Sequence, residues 1–268
     1  MTRCFAGWRH AASSVIGTSH LRNGTECQDF HAVNVASAAS GAEVVIAAAA
    51  DGAGSAKRSL NGARQACHTF FECAQLAVAQ LGQALDFLHD GFARDTLEDV
   101  RARITELANE SDEPLSAYAC TMLGAIVADD AAFFLQIGDG AIVYRMRDDD
   151  AAVWRLALSP QRGEFANETI FVTRGDAAQR ISVARVAGPI AEFALMTDGI
   201  EHLAVKMATG EPHARFFEHV FAGLRAAQET GTAVAHEAWL EAFLGSQQVC
   251  ARTDDDKTMV LCSRQSAA

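Results

Sequence analysis

Three times this chain runs an apolar segment directly into Asp-Gly. Glu43–Ala50 (EVVIAAAA) stops at Asp51-Gly52, Phe133–Ile137 leads through Gly138 to Asp139-Gly140, and the AEFALM segment reaches Asp198-Gly199. Runs this short, bounded by turn residues, predict buried strands rather than helices. The alanines of the first would also suit a helix, so its assignment rests on its length and on the Asp-Gly that ends it. A further acidic group, Asp254, Asp255 and Asp256, stands just before the last apolar segment, Thr258–Cys262. Asp29 immediately precedes another, Phe30–Val35. Taken singly, each Asp-Gly is an ordinary turn dipeptide. Repeated behind successive apolar runs, the pattern predicts carboxylates gathered at the mouths of strands. Charges brought that close repel severely unless cations lie between them. Hard divalent ions with oxygen ligands, Mg²⁺ or Mn²⁺, meet that need. A glycine after each aspartate lets the backbone turn and approach an ion.

The order of the remaining elements sets the fold class. Val15–Ser19 and Phe30–Val35 read as short strands ahead of Glu43–Ala50. Two helices follow: Leu60 to about Leu88, with Gly82 as a dividing point, and Asp95–Asn109, whose Leu97, Val100, Ile104 and Leu107 form one stripe. The period then changes. Cys120–Ala128, Ala131–Ile137 and Ala141–Arg147 are successive strands with a tight turn at Asp129-Asp130, and Val153–Leu158 continues the meander. Ile181–Val186 and Phe193–Met196 are further strands, and His213–Ala226 and Ala233–Leu244 are amphipathic helices before the last strand. Strands and helices that do not alternate one by one predict α+β: antiparallel sheets with helices packed outside them.

Composition closes off other classes. The chain has 268 residues, half of them apolar, and only four prolines, which suits one domain over 1–268 with a large core. No apolar run approaches the roughly 18 residues of a membrane helix, and MTRCFAGWRH lacks the apolar region of a secretion signal. The formal charge of −12 argues against a nucleic-acid binder. Seven scattered cysteines without a C-x-x-C pair are read as reduced thiols of a cytoplasmic protein. Nine dispersed histidines include no H-E-x-x-H, and His213 and His219 read as surface residues. The loop GAGSAKRS after Asp51-Gly52 invites a phosphate-loop reading, but Lys57 follows Ala56 rather than glycine and no βαβ unit surrounds it.

Assembled, these motifs resemble the metal-dependent Ser/Thr protein phosphatases of type 2C, above all their short bacterial members. The elements that carry the resemblance are CQD, the strand with DGAGS, ACTMLGAIV, GDG, TDG and DDKTMVL, in family order over nearly the whole chain. The resemblance implies a central antiparallel β-sandwich flanked on both sides by pairs of helices. It implies a phosphoprotein substrate, of the kind a cognate Ser/Thr kinase makes, hydrolysed by a metal-activated water at a site with two Mn²⁺ or Mg²⁺ ions. Position by position, Asp51 would bridge the two ions, the Gly52 carbonyl would help hold one, and Asp198 and Asp255 would hold the other. Asp29 would orient the attacking water, Asp139 with Asp198 would suit a third, weaker ion, and Thr121 would be a structural hydroxyl behind the site.

Three departures stand out. Gln28-Asp29 replaces the family's Glu-Asp, and Gly24 stands where the phosphate-gripping arginine is expected, with Arg22 nearby as its substitute. Ala53 occupies the place of a histidine proposed as general acid, so protonation of the leaving group falls to a metal-bound water or to another group. These departures keep two alternatives in view: a phosphatase-fold binding module without turnover, and a hydrolase of small phosphate esters. The polar stretch Ser159–Thr169 reads as an exposed loop over the site, with Arg162 and Arg174 as candidates to meet a phosphoprotein.

Overall fold

The computed structural model describes residues 7–80, 88–150, 153–158, 161, 169–206 and 209–264. In chain order the strands are β1 (Trp8–Val15), β2 (Phe30–Ser37), β3 (Glu43–Ala50), β4 (Met122–Val127), β5 (Ala131–Ile137), β6 (Ala141–Met146), β7 (Arg155–Leu156), β8 (Ser182–Ala187), β9 (Ile190–Met196), β10 (Val205–Lys206), β11 (Glu211–Pro212), β12 (Gly231–Thr232) and β13 (Lys257–Arg264). The helices are α1 (Thr18–Asn23), α2 (Ser59–Gln80), α3 (Asp90–Glu110), α4 (Ala177–Arg180), α5 (Asp198–Ala204), α6 (Ala214–Ala226), α7 (Val234–Leu244) and α8 (Gln247–Cys250).

Two sheets carry the fold, in the orders β2-β3-β4-β5-β8 and β12-β1-β13-β9-β6-β7. Their pairings are antiparallel except for the short β1–β12 contact. Side-chain alternation explains why two layers form. On β3, Val44, Ile46, Ala48 and Ala50 pack with Phe70 of α2 and Leu97 of α3, whereas Val45, Ala47 and Ala49 pack with Phe193, Leu195 and Val260 of the other sheet. On β13, Met259 and Leu261 face Phe217, Phe221 and Leu240 of α6 and α7, while Val260 and Cys262 face the first sheet. Both faces of each sheet are therefore buried, which is why these strands read as continuous apolar runs. The α+β class with antiparallel sheets and external helix pairs, expected from the sequence, is the observed one.

The N-terminal strand is a correction. Val15–Ser19 was the expected strand; the strand is Trp8–Val15, and Thr18–Asn23 is helical. WRHAASSV hides a buried strand because its arginine reaches distant backbone carbonyls. Arg9 Nη1 donates to the carbonyls of Leu224 and Arg225, 2.7 and 2.6 Å away, and a hydrogen-bonded polar group can be buried at modest cost. The expected strand over Val153–Leu158 shrinks to Arg155–Leu156, because Trp154 stacks on Phe217 and Phe221 instead of joining the ladder. The proposed dividing point at Gly82, and Arg162 with most of the 159–169 loop, lie outside the described residues.

Candidate metal centre

The strand ends and loops that carry the aspartates meet at one end of the two sheets. Asp51 follows β3 with its backbone clamped by Thr121: Asp51 N–H donates to Thr121 Oγ1 at 2.9 Å, and Thr121 N–H donates to the Asp51 carbonyl at 2.8 Å. Gly52 then bridges to Cys120. A Cβ at Gly52 would lie 2.6 Å from the Gln28 carbonyl oxygen, closer than carbon and oxygen can approach. Gly199 is equally committed, since a Cβ there would run into the Asp256 carbonyl. At Gly140 it would lie 2.7 Å from the Met196 carbonyl oxygen. From the sequence, these glycines are expected at sharp turns. In the structure none of the three has positive φ, and Gly138 (φ 106°) takes the strained position before Asp139. The glycines that follow the aspartates exist because another backbone passes against them, and those backbones belong to the other acidic segments.

Asp198 does not end a strand in a turn. It opens α5, where a carboxylate in the first turn favours the helix dipole. The three consecutive aspartates before β13 diverge. Asp254 is exposed and pairs with Arg22 at 2.9 Å. Asp255 is exposed too, but its charge bears on Asp51 and Asp198. Asp256 is buried, and its carboxylate accepts from Gly17 N–H, Gln28 N–H and His20 Nδ1 at 2.6, 2.6 and 2.8 Å. It is the clasp that ties α1 and the Gln28-Asp29 segment to β13.

Electrostatics identify which carboxylates face one another. Burial, then the charges of Asp29, Asp198 and Asp255, holds the Asp51 carboxyl well above the usual range. Burial and then Asp139, Asp255 and Asp29 push Asp198 up to about 8. Asp29 is also raised, chiefly by burial, against the opposing hydrogen bonds of Thr258 and Thr197. Thr197 Oγ1 donates to Asp29 Oδ2 at 2.8 Å, and Thr169 Oγ1 donates to Asp139 Oδ2 at 2.7 Å. The second oxygens, Asp29 Oδ1 and Asp139 Oδ1, are buried without a hydrogen-bond partner. Among the described residues, no three acidic, histidine or cysteine side chains are already closed around a single point. Crowded, partly orphaned carboxylates of this kind fit hard divalent cations, which would supply the missing partners and cancel the repulsion.

The sequence-predicted residues are thus divided. Asp29, Asp51, Asp139, Asp198 and Asp255 form one electrostatic cluster, with Gly52 at its edge. Arg22 sits outside it on α1, exposed beside Asp254. Sequence reasoning missed Thr197, which orders Asp29, and both Asp256 and His20. Thr197 is the threonine of the TDG element and was within reach of a motif reading. His20 carried no signal, because it lies in a six-residue helix with no apolar period. A groove of about 470 Å³ opens beside Ala53 and is lined by Ser55, Ala56, Ser116, Phe171 and Arg174 among others.

A helix-covered pair of antiparallel sheets with aspartates gathered at one end is the architecture of a metal-dependent protein phosphatase. The sequence profile described as Protein phosphatase 2C matches residues 16–245. Serine/threonine-protein phosphatase 3 of Escherichia coli (strain K12) is 34% identical over 255 residues, covering 95% of this chain and 97% of its own. The structure resembles Stp1, a serine/threonine phosphatase from Staphylococcus aureus, with a TM-score of 0.60 at 13% identity over 96% of this chain and 95% of that one. It also resembles the catalytic domain of the phosphatase PstP in complex with two manganese ions, with a TM-score of 0.58 at 14% identity over 97% and 99% of the two chains. The chain belongs to the protein phosphatase 2C family, as a bacterial-type protein serine/threonine phosphatase. Among the described residues, no helix is long and apolar enough to cross a membrane.

Proposed function

We propose that this protein, acting as a single domain in the cytoplasm, removes phosphate from phosphoserine and phosphothreonine in proteins phosphorylated by a cognate kinase. The observation that carries the reading is the cluster of five aspartates from five separate chain segments, in which burial and mutual charge together raise Asp51 and Asp198. Asp51, the Gly52 carbonyl, Asp198 and Asp255 would hold two Mn²⁺ or Mg²⁺ ions, with Asp139 and Asp198 available to a third. When bound, such ions acidify water and offset charge on the phosphoryl oxygens.

The chain's own residues supply the order. Thr121 fixes the Asp51 backbone through two hydrogen bonds, so that carboxylate is positioned before substrate arrives. Asp29 is anchored by Thr197 through one oxygen, and its other oxygen, without a hydrogen-bond partner, would orient the attacking water. Arg22 meets the phosphate. Its pair with Asp254 is solvent-exposed and worth at most about 1 kcal/mol, so a phosphate dianion exchanges into it at small cost.

The test is release of phosphate from phosphoserine and phosphothreonine peptides. Turnover with Mn²⁺, its loss in EDTA and its loss in Asp51→Asn support the reading; near-wild-type turnover of Asp51→Asn refutes it. A second reading, a binding module without turnover, is favoured by Gly24, which caps α1 at φ 69° where a phosphate-gripping side chain is expected. It predicts phosphopeptide binding without release of phosphate.

A further inference from the structure

Hydrolysis of a phosphoserine or phosphothreonine ester expels an alkoxide, which is a poor leaving group unless it is protonated as it departs. The residue after Asp51-Gly52 is Ala53, whose methyl cannot donate. We propose that His20 is the proton donor to the departing Ser or Thr oxygen, and that Asp256 is the residue that positions it. This rests on the phosphatase reading above.

His20 Nδ1 lies 2.8 Å from Asp256 Oδ2. A carboxylate only accepts here, so one hydrogen sits on Nδ1, and in the imidazolium the second sits on Nε2, the working end of the ring. Asp256 is itself immobile: it is 2% exposed and also accepts the backbone N–H groups of Gly17 and Gln28. Nε2 points toward the loop that follows Asp51-Gly52, for it lies 4.0 Å from where a Cβ on Gly54 would sit. On its other side α1 rests on the acidic segment, with Ser19 N–H donating to the Asp254 carbonyl at 2.9 Å. Gly17 passes so close to the Asp255 backbone that no Cβ fits. The ring therefore stands between the segment carrying Asp51 and the segment carrying Asp255. Its side chain is 13% exposed, sheltered but not sealed off. A buried carboxylate bonded to one imidazole nitrogen, with the other turned to the loop after Asp51-Gly52, is an arrangement that lets histidine move a proton.

The water oxygen forms a bond to phosphorus, and the phosphorus–oxygen ester bond breaks with its electron pair going to the Ser or Thr oxygen. The proton on Nε2 passes to that oxygen, and Asp256 supports the ring throughout. The proton released by the attacking water goes to solvent, from which Nε2 is protonated again. The net products are alcohol and inorganic phosphate.

Leaving-group dependence tests this. p-Nitrophenolate departs without a proton, so a proton donor matters far more for a phosphothreonine peptide than for p-nitrophenyl phosphate. With saturating Mn²⁺, His20→Gln should lower kcat on the peptide by about 10²–10³-fold. The ratio of peptide to p-nitrophenyl phosphate kcat should fall at least about thirty-fold. Asp256→Asn should move the ratio in the same direction. A rise in KM on both substrates with the ratio unchanged would make His20 a phosphate-binding group and overturn the assignment, as would equal loss of kcat on both. Should the variants not fold, wild type carries the test across aryl phosphates of graded phenol acidity: a shallow dependence supports the donor and a steep one overturns it. Wild type inactive on every substrate with Mn²⁺ would instead refute the phosphatase reading, and the assignment with it.

Discussion

Removing a carboxylate from the centre should stabilise the metal-free protein. The perturbation is Asp198→Asn, which keeps the shape and deletes the charge. Asp198 is pushed up to about 8 from 3.8 by burial and by Asp139, Asp255 and Asp29. A carboxyl with a higher pKa in the folded than in the unfolded chain binds its proton more tightly when folded. Stability is then fullest at low pH and is lost as pH rises from about 4 towards 8. At pH 7 roughly three pH units of that window have been crossed, at about 1.4 kcal/mol each, which sets a ceiling of about 4 kcal/mol. The same repulsion is shared with three neighbours, and the half-buried side chain is partly screened by water, so about 2 kcal/mol is the expected gain. For a domain of this size that is a rise of roughly 4–8 °C in Tm. The assay is thermal unfolding in EDTA from pH 5 to pH 8. The variant should melt above the parent at pH 8, and its Tm should fall less steeply with pH. Added Mn²⁺ should reverse the order, because the parent gains binding energy that the variant lacks. A variant that melts below the parent in EDTA at pH 8 would refute the claim that Asp198 is held against repulsion.

Other residues give independent checks. Gly199→Ala sets a methyl against the Asp256 carbonyl and should cost about 2 kcal/mol or more in urea unfolding, while lowering Mn²⁺ affinity in calorimetry. Glu192 is 1% exposed and accepts from Arg145 at 3.0 Å and Arg225 at 2.6 Å. Glu192→Ala leaves both guanidiniums facing a lost partner and should cost about 3 kcal/mol in the same unfolding assay. Burial first, and then the charges of Asp256 and Asp29, pushes the Cys27 thiol far up, so iodoacetamide at pH 8 should label Cys27 only after unfolding, as peptide mapping would show. Arg174→Ala, at the groove beside Ala53, should raise KM for a phosphopeptide by about three- to tenfold and change p-nitrophenyl phosphate kinetics little.

Much of the fold was legible because two sheets buried on both faces leave an apolar run for nearly every strand. β3 and β5 are bounded in the structure where the sequence places them. β1 was misplaced because the charge of Arg9 is taken up by the carbonyls of α6, a partner more than two hundred residues away. The aspartate cluster was legible through repetition: Asp-Gly recurs behind strands. The reason for the glycines was not, since it depends on which backbone passes 2.6 Å from a missing Cβ. The division of labour among Asp254, Asp255 and Asp256 was beyond a motif reading as well. The chain bends at Asp255, so no strand alternation sorts the three, and only the packing of α1 makes Asp256 the buried one. His20 was invisible for the same reason, because its partner lies 236 residues away.

The central claim is that aspartates remote in sequence close around divalent cations. Anomalous diffraction at the manganese edge, from crystals grown with Mn²⁺, addresses it without reference to turnover. The account predicts two strong peaks with Asp51 between them, the Gly52 carbonyl on one, and Asp198 and Asp255 on the other. Manganese that binds elsewhere and leaves Asp51 and Asp198 without an ion would contradict it.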